Sequence, residues 1–266
     1  MKTPFSPLNQ FLERIREMFF PLGCALCGKS LHEKLKFPAN KKYSGAFYGL
    51  CFSCHELLTI PTAERDRCLC CGQPLVSEIE TCLPCRNGEK RSFDRIISLF
   101  PYMGKYQKIL ASYKFGKRLS LGNFFAEKLW QGVKMFEDIS LGEYAWVPVP
   151  AKPGKIKHKG WDQIDYLAKL LKLGMPESST GDKSAAVSRC LKRLPSISQK
   201  ELNRENRLQN LKGRIIIDKT GSSGVVPKTA VLFDDVYTTG ATMDVCAAAL
   251  KSGGAEKVYG ICLCYD

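Results

Sequence analysis

The chain has 266 residues, of which 44% are hydrophobic, and this allows one large folded domain or two modest ones. No apolar run reaches the length of a bilayer-spanning helix, so we expect no membrane span. The net charge is +14, and residues 151–214 hold 15 Lys and Arg against 6 Asp and Glu. Such a concentration of positive charge attracts the phosphate groups of a small nucleotide or of a nucleic acid. A solvated basic surface is the alternative interpretation.

The first twenty residues predict cytoplasmic residence. Residues 1–10 lack the apolar core of a secretory signal, and residues 11–20 have the charged, amphipathic pattern of a short helix. Thirteen cysteines are many for a cytoplasmic chain. In a reducing compartment, clustered cysteine pairs are more often metal ligands than disulfides.

Eight of the nine cysteines between residues 24 and 85 form four pairs, each with two intervening residues. The pairs are Cys24 and Cys27, Cys51 and Cys54, Cys68 and Cys71, and Cys82 and Cys85. Each turn directs two thiolates at one point, and two turns make a closed tetrahedral site typical of structural zinc. The four pairs therefore predict two structural zinc ions. A segment this small needs its metal to fold.

The pairing of these turns stays open at the level of sequence. Consecutive pairing puts the first two pairs in one site, whereas an interleaved arrangement uses the same residues. Cys70 lies between two ligands and is interpreted as a spare thiol, while His32 and His55 could substitute for a thiol. Gly28 and Gly72 follow the first and third pairs, where a tight turn benefits from a residue that tolerates positive φ.

After the last pair the pattern changes to alternating strands and helices. The predicted strands are residues 95–100, 144–150, 229–233 and 257–264, and the predicted helices are residues 106–115, 119–135, 161–173 and 239–251. Residues 174–184 are polar and predict a loop. This α/β alternation predicts a parallel sheet with helices on both faces. The chain is thereby divided into a Cys-rich zinc-binding module with an N-terminal helix, at residues 1–91, and an α/β domain at residues 92–266.

One predicted strand ends in two adjacent carboxylates, Asp234 and Asp235, at the edge of the sheet where open α/β folds bind ligands. The next helix opens with hydroxyls and a glycine, namely Thr238, Thr239, Gly240, Ala241 and Thr242. Free N–H groups and the helix dipole favour a phosphate there. Because carboxylates repel phosphate, the acidic pair suits sugar hydroxyls or Mg²⁺. Residues 234–242 therefore predict a sugar-phosphate site in a strand-to-helix loop.

This order of residues resembles the phosphoribosyl diphosphate (PRPP) motif of type I phosphoribosyltransferases. Further segments narrow the resemblance to the ComF family, competence-associated phosphoribosyltransferase-like proteins with an N-terminal cysteine zinc module. These segments are Cys24-x2-Cys27-Gly28, residues 112–116, Val147-Pro148-Val149-Pro150 with the lysines that follow, and the basic stretch 199–210. The resemblance covers nearly the whole chain. Where the family usually has Gly-Phe-Asn-Gln, this chain has Gly160-Trp161-Asp162-Gln163, so an amide is replaced by an acid.

The resemblance implies a type I phosphoribosyltransferase-like fold that binds PRPP together with Mg²⁺. It implies Asp234 and Asp235 as catalytic residues, the stretch Thr238–Thr242 as phosphate contacts, and Lys152 as a contact of the pyrophosphate. Residues 155–159, with Lys200, Arg204 and Arg207, would form a hood over the site. Lys152 as an ordinary exposed lysine, and the two arginines as a helix surface, are the alternatives.

Two functions follow from the resemblance. In the first, the chain acts in DNA uptake during natural transformation and transfers a phosphoribosyl group to an acceptor still to be identified, by positioning and charge stabilisation. In the second, it is a non-catalytic protein that keeps the fold. Its basic region and zinc module then bind single-stranded DNA and a partner helicase.

Overall fold

The computed structural model describes residues 23–31, 48–60, 67–72, 75, 77–88, 91–139, 144–155, 160–174, 186–195, 213–218 and 225–266. The predicted helix at residues 11–20 and the predicted loop after residue 174 lie outside these ranges. By its contacts the chain divides into two compact units, residues 1–59 with 108–124 and residues 60–107 with 125–266. The last two cysteine pairs thus belong to the unit that holds the sheet. The boundary between residues 91 and 92 stays a prediction.

The elements follow the predicted alternation. The helices are α1 (Phe52–Glu56), α2 (Leu83–Asn87), α3 (Gly104–Lys114), α4 (Leu121–Val133), α5 (Gln163–Leu173) and α6 (Ala241–Ser252). The strands are β1 (Arg95–Pro101), β2 (Ala145–Pro148), β3 (Ala186–Val187), β4 (Leu191–Arg193), β5 (Ile215–Ile217), β6 (Thr229–Tyr237) and β7 (Lys257–Tyr265). Among the described residues, no helix combines the length and the apolar character that crossing a bilayer requires.

Five of these strands form the parallel sheet that the sequence predicts, in the order β1-β7-β6-β2-β3. Strand β7 is buried from Val258 to Cys264, as expected for a strand covered on both faces. Cys262 and Cys264 are buried on this strand. The sheet therefore forms the base on which the candidate site is built.

Helices cover both faces of the sheet. On one face Gly260 of β7 lies against Ile96 and Met243 of α6, so closely that an added Cβ would come within 2.8 Å of either side chain. On the other face Gly132 of α4 lies against Leu99, at 2.7 Å from an added Cβ. Glycine at these two positions lets a helix and a strand approach closely. Helices α6 and α4 lie on opposite faces of the sheet.

Strand β6 is longer than predicted, which corrects the position of the acidic pair. The sequence places Asp234 at the start of a loop, but the strand continues to Tyr237. Strand β7 pairs with it along this extension, with Asp234 opposite Cys262 and Tyr237 opposite Tyr265. Because this pairing supplies hydrogen-bond partners for the backbone, the carboxylates project from a strand and the loop begins only at Thr238.

A two-stranded antiparallel hairpin, β4 with β5, was not predicted. Its register pairs Leu191 with Ile217 and Arg193 with Ile215. Leu191 and Ile215 are buried in the core that α6 also lines. Strands of three residues are too short for a periodic pattern, so only packing identifies them.

The smaller unit holds the first two cysteine pairs. Gly23 and Ser30 form a bridge that closes the first cysteine turn. Lys108 Nζ donates a hydrogen bond to the carbonyl of Leu26 at 2.7 Å, and Arg118 donates to the carbonyl of Gly23. The two basic side chains thereby hold this turn from residues more than 80 positions away in the sequence.

Candidate functional site

The strand order reverses between β6 and β2. The β6-α6-β7 connection runs toward one edge of the sheet, and the β2-α5-β3 connection runs toward the other. Open α/β sheets bind ligands at such a switch point, at the carboxyl ends of the strands. The pairing of β2 with β6 ends at Pro148 and Phe233, directly before Asp234 and Asp235. The acidic pair therefore lies at the switch point.

The two carboxylates have different surroundings. Asp235 is 7% exposed, and its Oδ2 accepts a hydrogen bond from Nε2 of Gln163. Asp234 is half-buried, and its Oδ1 accepts a hydrogen bond from the backbone N–H of Asp235 at 2.8 Å. Adjacent residues of a strand project to opposite faces. Asp235 is thus held by a side chain of α5, while Asp234 faces the side of the sheet that α6 covers.

Arg193 of β4 lies close to Asp234. Burial lowers the pKa of Arg193, and the nearby Cys246 and Asp234 act in the opposite direction. The Nε atom of Arg193 is buried without a hydrogen-bond partner among the described residues. The hairpin thereby brings a cation to the end of β6.

The loop after β6 opens helix α6 with a glycine of positive φ. Gly240 has φ 74 and is the N-cap of α6, and the N–H of Asp244 donates to its carbonyl at 2.9 Å. Thr239 Oγ1 accepts from the N–H of Ala241 at 3.4 Å. Thr238 is exposed, and Thr242 is half-buried. A left-handed glycine followed by a helix of 12 residues directs free N–H groups and a positive dipole end at one point.

A cavity of about 440 Å³ lies at the end of β2. Its lining comprises residues 148–154, Asp162, Asp165, Arg189, residues 191–193 and Asp218. Lys152 is exposed and belongs to this lining, whereas residues 234–242 do not. Lys152 therefore lies in the loop that follows β2, whereas the acidic pair lies on the neighbouring strand β6.

Asp162 connects the two regions. Its Oδ1 caps α5 by accepting from the N–H groups of Ile164 and Asp165 at 2.9 Å each. Its Oδ2 lies 2.5 Å from Nζ of Lys155, which also reaches Oε1 of Gln163 at 2.6 Å. Because Gln163 in turn donates to Asp235, a continuous polar chain runs from the loop after β2 to the acidic pair.

The eight paired thiols gather into two groups, by consecutive pairing. Cys24, Cys27, Cys51 and Cys54 form the first cluster, and Cys68, Cys71, Cys82 and Cys85 form the second cluster, with the four Sγ atoms of each within 4.8 Å of one another. The Sγ atoms of Cys27 and Cys51 are 3.7 Å apart in the first cluster, and those of Cys71 and Cys82 are 3.6 Å apart in the second. A tetrahedral ion with Zn–S bonds of about 2.3 Å requires about 3.8 Å between sulfurs. Both clusters therefore fit zinc.

Both clusters are built in the same way. Gly28 and Gly72 have φ 79 and φ 67, the positive values that their sequence positions predict. Burial raises the pKa of the Cys24 and Cys68 thiols, but backbone N–H donors outweigh burial and lower each pKa to about 7. The two thiols are thus prepared as thiolate ligands. His55, considered above as a substitute ligand, packs between aromatic rings of Tyr48 and Phe124 instead, and His32 lies outside the described residues.

No family model matches the chain. The chain is 26% identical over 239 residues to "Competence protein ComFC" of Streptococcus pneumoniae, which covers 89% of this chain and 97% of that protein. It is 25% identical over 246 residues to "Competence protein F" of Haemophilus influenzae, with 90% and 95% covered. The chain is therefore similar to ComF competence proteins along 89–90% of its length.

The structure explains the acid in Gly160-Trp161-Asp162-Gln163, at the position where the ComF family that this sequence resembles usually has an amide. Asp162 is 5% exposed and serves as a helix cap and as the partner of Lys155. An Asp directly before an apolar helix pattern is a cap signal, and this signal was available in the sequence.

Several residues that line the cavity were not predicted from the sequence. They are Asp165, Arg189, Lys192, Arg193 and Asp218. Their only sequence signal is the positive charge of residues 151–214, which does not single out positions. The predicted hood residues 156–159, Lys200, Arg204 and Arg207 lie outside the described residues.

Proposed function

We propose that this chain binds PRPP with Mg²⁺ at residues 234–242 and acts in DNA uptake. The observation that carries the PRPP part is the position of two carboxylates and a helix-opening phosphate loop at the switch point of a parallel sheet. The names of the two competence proteins that resemble the chain along most of its length support the DNA-uptake part.

The geometry suggests a role for each region. The N–H groups of the loop Thr238–Thr242 bind the 5-phosphate, and the carboxylates of Asp234 and Asp235 hold the ribose hydroxyls or Mg²⁺. Lys152, at the end of the neighbouring strand, meets the pyrophosphate. In a transfer reaction, the bond from ribose C1 to pyrophosphate breaks and the acceptor forms a bond to C1. The protein contributes positioning and charge stabilisation.

Titration calorimetry of PRPP with Mg²⁺ tests the binding site. We expect Asp234→Asn to bind at least about tenfold more weakly than the wild type, because a charged hydrogen-bond partner contributes about 1.5–3 kcal/mol. Asp138→Asn is a matched control, since this exposed carboxylate binds Lys257 and Tyr259. Equal affinity of Asp234→Asn and wild type would remove the acidic pair from the site.

Pyrophosphate release tests whether PRPP is consumed. The protein is incubated with PRPP, Mg²⁺ and a panel of nucleobases and nucleosides, and pyrophosphate is measured over time. Release that depends on one acceptor and is lost in Asp234→Asn supports a phosphoribosyltransferase. PRPP that binds but is never consumed with any acceptor would leave a binding protein and remove the transfer step.

A second candidate function, binding of single-stranded DNA, is favoured by the cations of the cavity. Lys152, Arg189 and Lys192 are exposed and line it together with Arg193. If these cations bind the DNA backbone, the affinity for a labelled oligonucleotide falls steeply between about 50 and 200 mM salt. Lys192→Glu then weakens binding further. Affinity that does not change with salt, or with Lys192→Glu, would exclude this surface.

A further inference from the structure

The second cluster is built into the core of the unit that holds the phosphate loop. Cys68, Cys71 and Cys82 are 2–6% exposed and share one buried core with Tyr237 and Ala241. Structural metal sites commonly hold a separate small module together. Here the ligands instead lie in the same core as the strand and the helix that flank residues 238–240.

The first turn of the second cluster is fixed to strand β1. Arg67 is 9% exposed and donates from one guanidinium nitrogen to the carbonyl of Gly72 at 3.0 Å and to that of Ser98 at 2.6 Å. The N–H of Ile96 donates to the carbonyl of Cys70 at 3.2 Å. These hydrogen bonds require the turn formed by the backbone of residues 67–72. Metal bound by the thiolates stabilises this turn.

The chain leaving the second turn of the cluster reaches the phosphate loop directly. Arg91 donates to the carbonyl of Thr239 at 3.4 Å. The N–H of Ser92 donates to Oδ1 of Asp244, in the first turn of α6, at 2.7 Å. These contacts join positions 148 and 152 residues apart in the sequence. They hold the loop and the start of its helix from the side of the cluster.

Tyr237 packs against the same loop. It is 3% exposed, and its hydroxyl lies so close to Gly240 that an added Cβ there would be 2.4 Å away. The thiols of Cys71 and Cys85 are near enough to act on the tyrosine electrostatically. The ring thus shares a buried core with Cys68, Cys71 and Cys82 and also contacts the glycine that gives the loop its shape.

We propose that metal bound in the second cluster orders the PRPP loop through Tyr237, Arg91 and Ser92, so that metal and PRPP bind cooperatively. Without the metal, residues 67–94 have little core of their own and lose the geometry that presents Arg91 and Ser92. The loop then pays the ordering entropy when PRPP binds. Because coupling is reciprocal, bound PRPP also retains the metal. The first cluster, in the other unit, has no part in this. The inference rests on the proposed PRPP site.

Two matched variants separate the clusters. Cys85→Ser removes a half-buried ligand of the second cluster, and Cys27→Ser removes an exposed ligand of the first. PRPP affinity is measured by calorimetry, and bound zinc by mass spectrometry. We expect Cys85→Ser to bind PRPP about 5- to 100-fold more weakly than wild type, and Cys27→Ser to stay within about twofold.

Zinc release provides a second readout that does not depend on activity. Release to a chromogenic chelator is followed with and without PRPP and Mg²⁺. Cys27→Ser keeps only the second zinc, and we expect PRPP to slow its release severalfold. Cys85→Ser keeps only the first zinc, whose release should not change. Arg91→Ala keeps both ions and should lose most of the protection, which tests the coupling even if Cys85→Ser does not fold.

The outcomes distinguish the two proposals. If wild type binds PRPP and the two cysteine variants bind it equally, or if PRPP protects neither zinc, the coupling is wrong while the PRPP site stands. If PRPP slows the release of the first zinc alone, PRPP binding is coupled to the first cluster, and the proposed coupling to the second cluster is wrong. If wild type does not bind PRPP at all, both the proposed function and the coupling fail.

Discussion

Gln163 donates its side-chain amide to Oδ2 of Asp235 and so joins the first turn of α5 to strand β6, 72 positions further along the chain. Both side chains are buried, at 5% and 7% exposure. The polar chain from Lys155 through Gln163 ends at this bond. Side-chain hydrogen bonds therefore link the loop after β2 to the acidic pair on β6.

Gln163→Ala should lower the free energy of unfolding by about 1–3 kcal/mol, because it leaves a buried carboxylate without its amide donor. PRPP affinity should fall with it, since Asp235 loses its orientation. Urea denaturation and calorimetry measure the two effects. Gln107→Ala is the control: Gln107 is exposed on helix α3, so its loss should stay within about 0.5 kcal/mol. Equal effects of both changes would contradict a special role for the Gln163 bond.

Asp162→Asn should separate capping from charge. Asn caps helices about as well as Asp, so we expect the melting temperature to be nearly unchanged, whereas Asp162→Ala should cost about 1 kcal/mol. The same Asn substitution removes a negative charge from the cavity lining and frees Lys155. Affinity for pyrophosphate, measured by calorimetry, should therefore rise severalfold in Asp162→Asn. A fall in affinity would show that the carboxylate itself contributes to binding.

Gly240→Ala should disrupt the phosphate loop. At φ 74 an alanine is strained, and its Cβ would lie 2.4 Å from the hydroxyl of the buried Tyr237. We expect a loss of about 1–3 kcal/mol in stability and of most PRPP binding. Gly213→Ala is the matched control, because Gly213 has φ 75 but no atom within 4 Å of an added Cβ. If both variants bind PRPP like wild type, the glycine does not shape the site.

The ion pairs of Asp165 should give a small, pH-dependent contribution to stability. Burial raises the pKa of Asp165, but Lys169 and Arg189 outweigh it and lower the pKa below its ordinary value of 3.8. A carboxyl whose folded-state pKa is lowered stabilises the protein above its unfolded-state pKa. This contribution is lost as the pH falls through the lowered folded-state value.

Asp165→Asn should therefore cost at most about 1 kcal/mol at pH 7, because both basic partners are largely exposed. The difference from wild type should shrink as the pH falls below 3.8. Chemical denaturation at pH 7, 5 and 3 measures it. A difference that grows on acidification would contradict the assigned ion pairs.

The number of bound zinc ions should reflect the two clusters separately. We expect two zinc ions per wild-type chain and one in either Cys54→Ser or Cys82→Ser, measured by elemental analysis, because each variant breaks one four-thiol cluster. Cys70→Ser should keep both ions, since Cys70 is not a member of either cluster. A wild-type chain that binds a single ion would show that one cluster serves another purpose.

The sequence alone determined the features that depend on a few neighbouring residues. Four Cys-x2-Cys turns, two positive-φ glycines, an alternation of strands and helices, and a loop built around Thr239 and Gly240 all follow from local chain geometry, and the structure contains them. Only the tertiary structure decided the consecutive pairing of the thiols, the extension of β6 through Asp235, and the hairpin that carries Arg193. It also decided the bonds of Gln163 and Arg91 to partners 72 and 148 positions away. Such contacts arise when strands and helices pack, and no local pattern specifies which distant residue a side chain will meet.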